Sequence, residues 1–245
     1  MKKIDYMLRS SFEEFESEDS EFIRRLIKDL DIQSVLEIPC ANGRNLSVIG
    51  DVVSTAFFAD INISMVEAVR QKILKEKKLN CKALILDMCD ISKIPFDIDA
   101  IFVMQQSFQM LTAESGRKAL ENFCQIQCRY IVIDIYDFLC GSSDIPKFLV
   151  STNTFADSEG RKWIRRSTIS AISGCQIQLT HEYHSKEENY FAEVGLHNYS
   201  RSGFITLCEE CGYEIIDYFT DYSFGKNPAL GRTILVLAGR KEMKT

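Results

Sequence analysis

Residues 34–45, SVLEIPCANGRN, constrain the fold more than any other stretch of this chain. Ser-Val-Leu-Glu-Ile has the apolar, β-branched content of a short strand. Pro39, Cys40, Ala41, Asn42 and Gly43 forbid its continuation and make a tight small-residue turn that opens a helix. Such a turn exposes the main chain to close approach by a nucleoside-type ligand. A second short apolar run, STAFFAD, ends on Asp60, 23 residues after Glu37. A carboxylate at the tip of a neighbouring strand is placed to accept hydrogen bonds from ribose hydroxyls.

With 245 residues, 46% of them hydrophobic, the chain can build one large α/β domain with a decorating subdomain rather than two independent domains. No apolar run approaches the ~18–20 residues of a membrane span. The opening, MKKIDYMLRSSFEEFESEDSE, has no apolar core and no small-residue cleavage site, so a soluble cytoplasmic protein with no membrane partner is expected. Nine cysteines scattered through strands and helices fit the buried thiols of a reducing compartment. Cys208 and Cys211 form a lone CxxC, and the three histidines fall between 181 and 197, so no metal site is expected. A net charge of −6 disfavours nucleic acid as partner and favours a small-molecule substrate. The sequence is compatible with a homodimer and does not specify one.

Strands and helices alternate regularly. EFIRRLIKDL carries an apolar stripe of Phe22, Ile23, Leu26, Ile27 and Leu30, with Asp19 or Ser20 as N-cap. After it come strand Ser34–Ile38, helix Arg44–Gly50, strand Thr55–Ala59, helix Ser64–Lys77 and strand Lys82–Leu86. Strand Ala100–Met104, helix Glu114–Cys128 and strand Tyr130–Ile135 complete the series. In the second of these helices Met65, Val66, Val69, Ile73 and Leu74 are expected to point inward. The link from the third to the fourth strand has its only helix-sized piece around Cys89–Lys93. Residues 148–197 read instead as antiparallel strands, with turns near Asp157–Gly160 and Ser173–Gly174. Helix Arg201–Cys211, stopped by Gly212, then leads to strands Tyr213–Phe219 and Arg232–Ala238, which lack a crossover helix and should pair antiparallel. The expected architecture is therefore α/β: a doubly wound, mostly parallel seven-stranded sheet ending in an antiparallel hairpin, with a small antiparallel β insertion. Its parts would be 1–147 with 198–245, and a 148–197 insertion.

Glu37 with its small-residue turn, Asp60 after the second strand, Asp87-Met88 after the third and the terminal hairpin GYEIIDYF…RTILVLAGRK together resemble a class I S-adenosylmethionine-dependent methyltransferase. The similarity covers about residues 20–140 and 198–241. The stretches DMCDISKIPFD-IDAIFVMQQSFQML and HNYSRSGFITLCEECGYEIIDYFTDYS are similar, more loosely, to bacterial small-molecule enzymes, including those that N-methylate amino sugars. The resemblance implies S-adenosylmethionine as cofactor. It implies that the turn at Glu37, Pro39, Ala41, Asn42 and Gly43 approaches the methionine moiety, with Pro39 and Ala41 standing where glycines are usual. It further implies that Asp60 binds ribose, Ile61 lies on adenine, Asp87 accepts from the adenine amino group, and Met88 donates its N–H to the ring. Met104 and Gln105 fall where the family wraps the methionine part, and Tyr6, Met7, Phe12 and Phe15 belong to a segment that folds over the cofactor in similar enzymes. Each acid also has a plainer reading as a helix cap or solvated turn.

Methyl transfer needs alignment, desolvation and sometimes a base rather than a triad. Candidates for the acceptor side are Gln106 and Gln109 after the fourth strand, Tyr136 after the fifth, Tyr199, and His181 on the strand THEYHS. There, alternation sends His181 and Tyr183 to one face and His184 to the other. Gln109 stands near a position where amino-sugar enzymes commonly carry histidine, and it cannot act as a base. For His181 the competing expectation is a polar surface residue of an edge strand, and for the basic run RKWIRR an edge that repels other sheets. A nicotinamide-dependent dehydrogenase would need three turn glycines, which Pro39 and Ala41 deny. A nucleic-acid methyltransferase would show a basic channel or an Asn/Asp-Pro-Pro-aromatic turn. A non-catalytic cofactor-binding or scaffold protein is the remaining rival.

Overall fold

The computed structural model describes residues 2–4, 19–91, 94, 96–126, 128–138, 151–157, 160–173, 175–226 and 231–239. Strands β2 (Ser34–Glu37), β3 (Thr55–Asp60), β4 (Cys81–Ile85), β5 (Ala100–Val103), β6 (Tyr130–Tyr136), β11 (Tyr213–Thr220) and β12 (Arg232–Gly239) form one seven-stranded sheet. Its order is β11-β12-β6-β5-β2-β3-β4. Pairings from β4 through to β6 are parallel, while β12 runs antiparallel to both β6 and β11. The expected terminal hairpin is therefore present. Gly212, at φ +89, follows the last helix as anticipated.

Successive residues of each strand feed opposite cores, as a period of two requires. Val35, Phe58, Phe102, Val132 and Ile234 pack on one face against helices α1 (Asp19–Asp29), α2 (Leu46–Gly50) and α3 (Ile63–Glu76). Leu36, Phe57, Ile101, Ile133 and Leu235 pack on the other against α4 (Ala113–Gln125) and α5 (Arg201–Glu210). Helix starts follow the usual capping chemistry. The Asn62, Thr112 and Ser200 side chains accept from Ser64, Ser115 and Gly203 N–H groups. No helix among the described residues is long and apolar enough to cross a membrane.

A second sheet has the order β1-β10-β9-β8-β7, built from β1 (Lys2–Lys3), β7 (Ser151–Ala156), β8 (Lys162–Ser173), β9 (Gln176–His184) and β10 (Asn189–His197). Its insertion strands pair antiparallel as expected, but Lys2–Lys3 add a parallel edge to β10, making the sheet mixed. Pairing across nearly the whole chain has no local sequence signal. Flanked by β7 and β10, β8 and β9 are interior strands, and the edge readings of RKWIRR and THEYHS are overturned. Trp163 and Tyr183 are fully buried and His181 is buried, while His184 on the other face is half-exposed.

Smaller expectations also change. Asp19 lies inside α1 rather than capping it, because its side chain is drawn to Arg44 and Gln105. Residues 88–90 form a turn and not a helix, with Asp90 N–H bonded to the Asp87 carbonyl. Leu74 is 71% exposed, since the apolar stripe of α3 ends at Val69 and the half-buried Ile73.

Candidate functional site

The turn after β2 is a left-handed one: Ala41 has φ +46 and Gly43 φ +75. A Cβ on Gly43 would come within 2.9 Å of Val69 Cγ2, so glycine is required there by both conformation and space. Ala41 is the non-glycine exception, and Asp60 secures it. The Ala41 N–H donates to Asp60 Oδ2 at 3.0 Å, and the Asn62 N–H donates to Oδ1 at 2.8 Å. Burial pushes the Asp60 carboxyl above its usual range, and those main-chain donors oppose the shift.

Glu37, the last residue of β2, is 3% exposed. Asn45 stands at the N-cap of α2 without capping it; its Nδ2 donates instead to Glu37 Oε1 at 2.5 Å. Among the described residues Glu37 Oε2 is buried with no hydrogen-bond partner. Burial raises the carboxyl to about 8, against the Asn45 bond and with a smaller push from Asp19. A buried acceptor left unsatisfied at the mouth of a left-handed turn suits a ligand bearing a cation or an N–H group.

Register places Asp60 opposite Ile85, so Glu37, Asp60 and Asp87 follow one another along the C-terminal rim of β2, β3 and β4. Asp87 is exposed and accepts the Cys89 N–H at 2.8 Å, closing a local turn. Ile61, beside Asp60, is 66% exposed. Met88 is half-buried, Met104 is buried, and Pro39 and Asn42 complete the turn. Tyr6, Met7, Phe12 and Phe15 lie outside the described residues.

Gln105 extends the rim at the end of β5. Its Nε2 donates to Asp19 and, at 3.1 Å, to the Tyr222 hydroxyl, while Arg44 Nη2 lies 3.1 Å from Asp19. The sequence reading missed Asp19, Arg44, Asn45 and Tyr222. Asn45 falls inside the expected helix Arg44–Gly50 with its partner Glu37 on the preceding strand, and the others depend on contacts 25 to 117 residues apart, which leave no local pattern.

The acceptor-side candidates do not share one location. Gln109 is fully buried, and all its bonds go to main chain. Nε2 donates to the Tyr136 and His197 carbonyls at 2.9 and 3.1 Å, and Oε1 accepts the Tyr136 N–H at 2.7 Å. It fastens the end of β6 to the end of β10. Tyr136 is half-buried at the rim, its ring 4.7 Å from that of Phe138. His181 is on the buried face of the smaller sheet, its Nδ1 2.8 Å from Ser167 Oγ. Tyr199 belongs to the α4–α5 core, between Phe108 and Phe204, and its hydroxyl would collide with any Cβ on Gly116. Burial raises that phenol to about 12. No group of three or more His, Cys, Asp or Glu side chains among the described residues could hold a metal ion.

No family model and no curated protein matches the chain. Solved structures do. The CcbJ methyltransferase from Streptomyces caelestis superposes with a TM-score of 0.79 at 9% identity, covering 95% of this chain and 96% of that one. An S-adenosylmethionine-dependent methyltransferase from Clostridium acetobutylicum gives 0.74 at 12% identity, covering 91% and 92%. CalS10, an amino pentose methyltransferase from Micromonospora echinaspora, gives 0.71 at 14% identity, covering 90% and 92%. These superpositions span nine-tenths or more of both chains: the chain has the class I S-adenosylmethionine-dependent methyltransferase fold.

Proposed function

We propose that the protein transfers a methyl group from S-adenosylmethionine to an N or O nucleophile of a small metabolite, with 148–197 contributing the acceptor side and 1–147 with 198–245 the cofactor side. The observation carrying this reading is the rim itself: three acids at or just past successive strand ends, beside a left-handed turn, one of them with a buried carboxyl oxygen unsatisfied among the described residues. In this reading Asp60 takes the ribose hydroxyls and Ile61 the adenine face. Asp87 and the Met88 N–H take the adenine edge. Glu37, the turn residues Pro39, Ala41, Asn42 and Gly43, and Met104 with Gln105 hold the methionine end.

Bound S-adenosylmethionine supplies a methyl already activated on a sulfonium, so the protein's work is alignment and exclusion of water. Gln109 contributes by fixing Tyr136 against β10, with no proton transfer of its own. His181, held by Ser167, is proposed to take the acceptor's proton, and Tyr136 to line the acceptor's approach. Tyr199 supports this region from the core. A sugar-like acceptor accords with the likeness to CalS10, an amino pentose methyltransferase, an anionic one would draw on the basic run RKWIRR, and the net charge of −6 argues against nucleic acid.

Calorimetry with S-adenosylmethionine and with S-adenosylhomocysteine tests the reading. Binding of both is expected, and Asp60→Ala should weaken it by about 1–3 kcal/mol through loss of a charged acceptor. No heat and no thermal shift with either ligand would favour the scaffold alternative.

A further inference from the structure

Two turns at the rim hold pairs of non-glycine residues in the left-handed region. After β5 these are Gln105 (φ 59) and Gln106 (φ 60); after β11 they are Asp221 and Tyr222, both at φ 51. Side chains with a Cβ resist this conformation, so it persists only where surroundings enforce it. One side chain reaches both turns. Asp134, fully buried in β6, accepts the Gln106 N–H at Oδ1 and the Tyr222 hydroxyl at Oδ2, each at 2.5 Å. Gln105 Nε2 donates to that same Tyr222 hydroxyl. Arg232 of β12 lies 3.9 Å from Asp134 Oδ2 and 4.5 Å above the Tyr222 ring, countering the buried charge.

The strand does not need this carboxylate. Its sequence is YIVIDIY, and on the same face Val132, Ile234 and Val236 pack as ordinary apolar residues. A valine there would avoid the desolvation cost of a buried acid and would leave the Gln106 N–H and the Tyr222 hydroxyl without their acceptor.

We propose that Asp134 is a positioning residue which, through Gln106 and Tyr222, clamps the β5 and β11 turns in register and thereby presents Gln105 to the methionine end of the cofactor. This rests on the cofactor reading given above. The clamp joins segments from three parts of the chain, which explains why no short motif announces it.

The test compares Tyr222→Phe, Asp134→Asn and Asp134→Ala with the intact chain, titrating S-adenosylhomocysteine calorimetrically and recording thermal melts. Val132→Ala, on the same strand and face but without polar contacts, serves as the packing control. Tyr222→Phe is expected to lose at least tenfold in affinity, and Asp134→Ala more. Asp134→Asn should recover part of the Asp134→Ala loss, because its amide oxygen still accepts the Gln106 N–H. Val132→Ala should melt earlier with unchanged affinity. Wild-type affinity in both Tyr222→Phe and Asp134→Asn would overturn the clamp while leaving cofactor binding intact. So would a Val132→Ala variant whose affinity falls in step with its melting temperature. Failure of the unaltered chain to bind would overturn both readings, and if Asp134→Ala does not fold, Tyr222→Phe decides.

Discussion

Along the rim of the seven-stranded sheet, Glu37, Asp60 and Asp87 keep acceptor capacity to spare among the described residues: one oxygen without a partner, one carboxyl held by main-chain donors, one open to solvent. On the five-stranded sheet the polar contacts of Trp163 and His181 run between neighbouring strands. Trp163 Nε1 donates to Asp157, and His181 is tied to Ser167. The difference bears on where the proposed cofactor would be recognised. Hydrogen-bonding demand left open beside a turn is demand a ligand can answer, whereas contacts between neighbouring strands hold a sheet together. The rim also owes its geometry to parallel strands ending in step, whereas the smaller sheet owes its geometry to antiparallel register.

The sharpest way to break this contrast is to remove the unmet demand. Glu37 is protonated when folded up to about pH 8 but ionises near 4.5 when unfolded. The folded state therefore binds more protons between those values, and stability falls as pH rises through that window. Glu37→Gln should abolish that slope and stabilise the ligand-free protein at pH 8, by at most on the order of 4 kcal/mol for a shift of this size. The same variant should bind S-adenosylmethionine more weakly. Urea titrations at pH 5, 6.5 and 8 measure the slope; one matching wild type would mean that Glu37 is not the buried acid described here.

A smaller effect is expected at the junction of the two regions. Gln109→Leu removes three bonds to main chain and should cost about 2–3 kcal/mol, because buried Tyr136 and His197 groups lose their partners. Amide exchange at the end of β6 and the end of β10 should accelerate while S-adenosylhomocysteine affinity holds. Loss of that affinity would show that the junction and the rim are one unit. The smallest effect belongs to the smaller sheet: His181→Leu gives up the bond to Ser167, about 1 kcal/mol, without altering cofactor affinity. Unaltered turnover of a methyl acceptor in this variant would remove His181 from the proton-transfer role.

These contrasts also explain what could be read from the residues alone. Helix α1 was legible because Phe22, Ile23, Leu26 and Ile27 recur at helical spacing, and all four are buried. The rim positions of the three acids were legible because Glu37 and Asp60 end their strands and Asp87 follows β4 by two residues. Asp19, Asp134 and Tyr222 were not, since their meaning lies in partners from distant segments and an aspartate beginning a helix looks like a cap. The surroundings of Tyr199 were not legible either: its ring packs against Phe108 and Phe204 and its hydroxyl occupies the space beside Gly116, contacts that no local pattern announces. The smaller sheet escaped full description because the strand completing it comes from the other end of the chain.

Gln109 has one more implication. Every bond it makes ends on a peptide group, and peptide groups are common to all amino acids, so the joint it forms is indifferent to which side chains the smaller sheet displays. A joint of that kind permits that sheet's inward surface to be rewritten, residue by residue, without disturbing how the two layers are seated, and it marks the ends of β6 and β10 as natural splice points for exchanging such sheets between proteins of this architecture.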